Sequence, residues 1–258
     1  DHGVVQAFPD AWHEYEAIEA ECEKAGRECD FKVIYGVEAY LVDDLKDMIV
    51  NPKGQHLNDR YVVFDLETTG FSAKSDKIIE IGAVKVENGK IIDRFSTFVN
   101  PEIPIPFRIE KLTSINDEMV IDAPKIEEIL PKFMEFCKDS VMVAHNSDFD
   151  MSFIEANCKR QDLECDFTVI DTVAMSRYLI IGLGRYKLDN VAKALGIVLD
   201  HHHRAVDDAE CTALIFLKLC KMLEGKGIDN LDELNRQGKQ SKNLIDKLPA
   251  HHAIILVK

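Results

Sequence analysis

The run Tyr61-Val62-Val63-Phe64-Asp65-Leu66-Glu67 constrains this chain more than any other stretch. Four β-branched or aromatic residues in succession favour a strand covered on both faces. Asp65 and Glu67, two residues apart, then point to one face while Leu66 points to the other. Two carboxylates on one face of such a strand repel each other unless a cation sits between them. An isolated Asp-x-Glu is ordinarily a surface-exposed acidic strand end. Here Thr68-Thr69-Gly70 turns sharply away after an otherwise apolar strand, which favours a built acidic site.

The flanking pattern extends that strand into a sheet. Ile78 to Val86 and Ile91 to Val99 read as two further strands, joined by Glu87-Asn88-Gly89-Lys90 with Asn-Gly as a hairpin turn. Three adjacent antiparallel strands are predicted. Asp122 and Pro124 can start a helix in which Ile126, Ile129, Leu130, Phe133, Phe136 and Cys137 recur at helical steps, with a kink or restart expected at Pro131. Val141 to Ala144 reads as a short buried strand, followed by a helix from near Asp148 toward Lys159. Phe167 to Ile170 adds a strand candidate, and helices are predicted over Lys187 to Leu195 and Ala205 to Leu223. Strands alternating with helices after an opening meander indicate an α/β fold, a mixed β-sheet covered by helices.

Composition narrows the function. The 258 residues suffice for a buried core, and with 46% hydrophobic and 30% charged residues the chain is globular in type. No apolar run approaches the length of a membrane span, so a soluble, cytoplasmic protein with no membrane partner is expected. Seven cysteines without a C-x-x-C pair read as reduced thiols. A net charge of −15 argues against a free-standing module that grips nucleic acid with a basic face. If the chain acts on nucleic acid, metal ions or a larger assembly must hold the phosphates. Lys74, Lys77, Arg185 and Lys187 are loop cations that could line a strand's path.

Two more motifs accompany the acidic strand. His145-Asn146-Ser147-Asp148-Phe149-Asp150 leaves a buried strand and enters a helix, placing Asp150 in its first turn beside a crevice between parallel strands. A helix cap would explain Asp148 or Asp150 equally well. His203-Arg204-Ala205-Val206-Asp207-Asp208 puts a histidine in a loop and Asp208 at the start of the last long helix. Alone, that segment also fits a solvated loop and acidic residues favoured at a helix N-terminus.

Taken in order, the three motifs resemble the DnaQ-like family of 3′–5′ exonucleases, the DEDDh subclass with four acidic residues and a histidine, over about residues 58 to 224 including Asp171-Thr172. The resemblance implies an RNase H-like fold. It makes Asp65, Glu67, Asp150 and Asp208 the catalytic carboxylates, which hold two divalent metal ions, Mg²⁺ or Mn²⁺, and makes His203 the histidine. Hard oxygen ligands suit these ions, and a pair of them can hold both the attacking and the leaving oxygens of an in-line displacement. A neutral His203 can take a proton from the attacking water. The resemblance also implies that the backbone around Leu66 and Thr68, with Asn146 and Phe149, holds the terminal nucleotide of a DNA 3′ end. One departure lies at Lys111-Leu112-Thr113-Ser114-Ile115, where the family usually has glycine after the threonine. Gly182-Leu183-Gly184 has neither the strand nor the acidic partner of a dinucleotide site.

The flanks carry a second resemblance. Asp1 to Pro9, Gly36-Val37-Glu38-Ala39-Tyr40 and His252 to Val257 resemble the PHP domain of PolC-type bacterial replicative polymerases, into which the exonuclease is inserted. The expected organisation is a partial PHP piece over 1–57, the exonuclease over 58–224 and a return into PHP over 225–258. Asn51 to Asp59 reads as the linker, and the chain as a section of a longer one. His2, Glu38 and His252 match PHP metal positions, but the domain's opening His-x-His is absent and no second metal site is expected. The implied function is proofreading at the primer 3′ end within a polymerase, with the remaining polymerase domains and other replisome subunits as partners. A stand-alone exoribonuclease of the same superfamily and an inactive assembly module are the alternatives. PHP-like flanks oppose the first, and the complete acidic set with its histidine opposes the second.

Overall fold

The computed structural model describes residues 8–33, 47–198 and 204–237. They belong to two compact units. The smaller contributes a helix, α1 (Phe8–Lys24), in which the rings of Trp12 and Tyr15 lie 6.1 Å apart. The larger unit contains the described residues 47–198 and 204–237.

Six strands of the larger unit form one mixed sheet. They are β1 (Ile49–Val50), β2 (Tyr61–Thr68), β3 (Ile78–Glu87), β4 (Lys90–Phe98), β5 (Val141–Ala144) and β6 (Val169–Asp171), in the spatial order β1-β6-β5-β2-β3-β4. Strands β2, β3 and β4 are the expected antiparallel meander, and Asn88 and Gly89 both take positive φ, as a tight Asn-Gly hairpin requires. β5 pairs in parallel with β2 and with β6.

Side-chain alternation along β2 separates the two faces. Val62, Phe64 and Leu66 pack with Leu130 and Phe133 of α4 (Ile126–Cys137) and Phe153 of α5 (Ser147–Arg160). Phe64, Phe95 and Phe133 form an aromatic chain on that side, with centroids 5.8 and 5.6 Å apart. Tyr61 and Val63 face the opposite layer of α6 (Thr172–Leu179), α7 (Leu188–Ala194) and α8 (Ala205–Glu224). The Tyr61 ring meets Phe216 edge-on at 4.7 Å. Asp65 and Glu67 share the α8 face by the same alternation. Two short helices, α2 (Phe107–Thr113) and α3 (Asp117–Val120), precede α4 and pack a satellite core of Ile79, Ile105, Ile109 and Ile115.

Several local expectations are corrected. α4 starts at Ile126 with Lys125 as its N-cap rather than at Asp122, and it passes Pro131 without restarting. Leu130 and Phe133 on either side of the proline are fully buried, and that packing offsets the missing backbone hydrogen bond. The last strand begins at Val169.

The stretch read as a linker is part of the larger unit. Leu57 N–H donates to Asp229 O, Leu231 N–H donates to Gln55 O, and the Tyr61 hydroxyl donates to His56 O. Met48, Ile49 and Leu57 share a core with Ile228, Leu231 and Leu234, so the unit reaches beyond residues 58 to 224 on both sides. Leu231 and Leu234 lie on a helical segment over 231–237. All seven cysteines are free, and Cys137, Cys158, Cys211 and Cys220 are buried in the larger unit. No helix among the described residues is long and apolar enough to cross a membrane.

Candidate active site

The acidic residues meet where β2 runs past the end of β5. β5 pairs with β2 only over Tyr61 to Val63, leaving the second half of β2 without a partner on that edge. The Leu66 N–H there donates to Asp150 Oδ1 at 3.2 Å. Asp150 is buried in the first turn of α5, as the sequence pattern predicts. Across the α8 face, Asp65, Glu67 and Asp208 each place a carboxylate oxygen within 4.8 Å of the others. Asp208 stands in the first turn of α8. Asp150 is not in that triangle but adjoins it through Leu66, between the two strand carboxylates. The chain thus brings together all four predicted carboxylates, three tightly and one through the strand backbone. His203 lies outside the described residues, as do His2, Glu38 and His252.

The electrostatics follow from burial and like charge. Burial first, then repulsion from Asp150, Glu67, Asp208 and Glu80, raises the Asp65 carboxyl well above the usual range. Glu67 is pushed up to about 7 by burial and by Asp208 and Glu80. Asp150 is also raised by burial, against the opposing effect of the Leu66 N–H. Carboxylates held together at this cost in proton affinity are a donor set for a hard divalent cation, which would offset their repulsion.

The loop bearing Asp150 is fixed from β6. Asp171 Oδ1 accepts from the Asn146 and Val173 N–H groups at 3.2 and 2.8 Å. Asn146 is thereby held in a left-handed conformation, φ 72 and ψ 55, ahead of α5. His145 Nε2 lies 2.9 Å from Tyr186 O and Nδ1 2.9 Å from Thr172 Oγ1. A carbonyl only accepts, so Nε2 carries a proton, and the Thr172 hydroxyl in turn donates to Ala144 O at 3.2 Å. Burial lowers the affinity of this ring for a second proton.

The residues expected to hold a nucleotide are differently disposed. Leu66 is a core side chain, its N–H already engaged by Asp150. Thr68 is buried, and its hydroxyl donates to Gly70 O at 2.6 Å within the turn. Asn146 is exposed, and Phe149 is half-buried between the rings of Phe71 and Phe153. Phe71, 70% exposed immediately after Thr-Thr-Gly, carries no prediction from sequence, although an aromatic residue next to that turn was its signal. Glu80 and Arg204 are likewise absent from the sequence-based site. Their signal was a lone carboxylate inside the apolar run Ile78-Ile79-Glu80-Ile81.

Sheet order and helical layers define an RNase H-like fold, with the acidic cluster on its sheet. A profile of the Exonuclease (RNase_T) family matches residues 62–216, and the chain belongs to that family. Among curated proteins it is 49% identical over 258 residues to the PolC-type DNA polymerase III of Caldanaerobacter subterraneus and 50% identical over 260 residues to that of Clostridium perfringens. These alignments cover the whole chain but only 18% and 17% of the respective polymerases, so the chain spans under a fifth of those relatives' length. Among solved structures, Exonuclease X in complex with 5′ overhanging duplex DNA matches with a TM-score of 0.51 and 29% identity, over 65% of this chain and 93% of that one. The nuclease domain of 3′hExo, a DEDDh family member bound to rAMP, shares the fold with a TM-score of 0.57 at 22% identity, over 64% of this chain and 93% of that one.

Proposed function

We propose that this chain is the proofreading exonuclease portion of a PolC-type replicative polymerase, releasing nucleoside 5′-monophosphates from DNA 3′ ends. The observation that carries the reading is the triangle of Asp65, Glu67 and Asp208 with Asp150 beside it, in a chain aligned over its whole length with PolC-type polymerases. The four carboxylates would hold two divalent cations, Mg²⁺ or Mn²⁺. Such ions supply charge stabilisation and an acidified water for in-line phosphodiester displacement.

The chain's own residues do the rest. Asp150 and the two strand carboxylates converge from β2 and α5, and Asp208 closes the set from α8. His203, five residues before Asp208, is assigned as the base that takes the proton of the attacking water. The turn at Thr68, the backbone beside Leu66, and Asn146 with Phe149 are assigned to receive the terminal nucleotide. The net charge of −15 fits an enzyme that receives a frayed strand from the remaining polymerase domains and other replisome subunits. Residues flanking the larger unit are assigned to a PHP domain interrupted by the exonuclease, and the assembly to the cytoplasm.

A 5′-labelled, 3′-mismatched primer on template DNA tests the reading. Shortening from the 3′ end with Mg²⁺ or Mn²⁺, abolished by EDTA and by Asp65→Ala, is the expected result. Digestion of RNA alone would replace the substrate, and no digestion under either metal would favour an inactive assembly module.

A further inference from the structure

Glu80 is a fully buried carboxylate in an otherwise apolar segment of β3, a placement that is costly unless the charge is paired and hydrogen-bonded. Both its oxygens are used. Oε1 accepts from Arg204 Nε at 2.9 Å and Nη2 at 2.8 Å, and Oε2 accepts from the Ala205 N–H at 3.1 Å. The guanidinium is also stacked over the Phe98 ring, 4.8 Å from its centroid. Arg204 and Ala205 are the N-cap and first residue of α8.

The same face of β3 provides a second contact with that turn. A Cβ at Gly82 would lie 2.0 Å from Val206 N and 2.1 Å from the Ala205 carbonyl carbon, so the helix backbone rests directly on the strand and excludes any side chain there. Polar contacts at residue 80 and a steric seat at residue 82 therefore hold one helical turn. Asp208 hangs from that turn, since its N–H, with that of Asp207, donates to Arg204 O at 3.1 and 2.9 Å. Glu80 is also the register partner of Glu67 on β2.

We propose that Glu80 is a positioning residue for the exonuclease site. Through Arg204 and Ala205 it clamps the start of α8 to β3 and sets where Asp208 stands relative to Asp65 and Glu67. Both Glu80 oxygens are occupied by the clamp, so its role is exerted through α8. The inference rests on the reading of the acidic triangle as a cation site.

The test compares the whole chain with its Glu80→Gln and Arg204→Lys variants. The first removes the buried charge, and the second keeps the charge while replacing the planar fork by a single ammonium. Mn²⁺ binding to the DNA-free protein is followed by electron paramagnetic resonance, alongside kcat, KM for primer DNA and Tm. A clamp that sets ligand geometry predicts weaker Mn²⁺ binding by about 10- to 100-fold in both variants, lower kcat, and KM for DNA within about threefold of the parent. An ion pair that serves only folding predicts lower Tm with Mn²⁺ binding and kcat unchanged, and that result overturns the proposal. If Glu80→Gln does not fold, Arg204→Lys alone decides between these outcomes. Failure of the parent chain to bind Mn²⁺ would instead overturn the cation-site reading, a result separable from any difference between variants.

Discussion

Leu66 and Asp150 are 84 residues apart in sequence, yet the Leu66 N–H donates to Asp150 Oδ1 at 3.2 Å. The bond occupies a strand edge that β5 leaves open, and it places the α5 carboxylate between Asp65 and Glu67. Asp150→Asn keeps an acceptor for Leu66 and removes the charge. Its Tm is expected within a few degrees of the parent, with kcat reduced on the order of 10² to 10³. Paired melting and primer-shortening assays check this, and a fully active variant would remove Asp150 from the site.

The metal-free protein should lose stability as pH rises. Glu67 has its folded-state value pushed up to about 7 from 4.5, and Asp65 and Asp150 are raised with it. Between those limits the folded chain binds more protons than the unfolded one, so the free energy of unfolding decreases with pH. Glu67 alone would contribute about 1 to 3 kcal/mol to that decrease. Melting curves in EDTA from pH 5 to 8 should decline, whereas saturating Mg²⁺ should offset the decline, because cations bind the deprotonated carboxylates. A flat EDTA profile would contradict the burial of this charge.

Ser114 occupies the position where the resembled family usually has glycine, and it adopts φ 60 and ψ 16 at the end of α2. A left-handed conformation costs a non-glycine residue roughly 1 kcal/mol. Ser114→Gly should raise Tm by about 2 to 4 °C, reduced somewhat by the greater freedom of glycine in the unfolded chain, with primer shortening unchanged. Calorimetry of the two proteins side by side checks it.

Phe133 fills the space between Phe64 and Phe95 with no solvent exposure. Phe133→Ala should destabilise the larger unit by about 3 to 5 kcal/mol, measured by urea unfolding. A loss below 1 kcal/mol would mean that the aromatic chain does not hold α4 to the sheet.

Local rules were enough for the parts of this protein that depend on neighbouring residues. The period of two placed Asp65 and Glu67 on one face, Asn88-Gly89 closed the hairpin, and apolar spacing located α5, α7 and α8 within one or two residues. They also placed Asp150 and Asp208 in the first turns of their helices. Other features are set by packing. α4 continues through Pro131 because Leu130 and Phe133 are buried on either side, and residues 47 to 57 belong with 228 to 234 because their apolar side chains share a core. Glu80 is the clearest case. Sequence shows a charge in an apolar strand, but only the arrival of α8, more than a hundred residues later in the chain, supplies the guanidinium and the N–H that make its burial tolerable. Chemistry at the site depends on residue types and local periodicity, whereas alignment of the carboxylates depends on how closely strand and helix backbones approach, and that distance exists only in the folded chain.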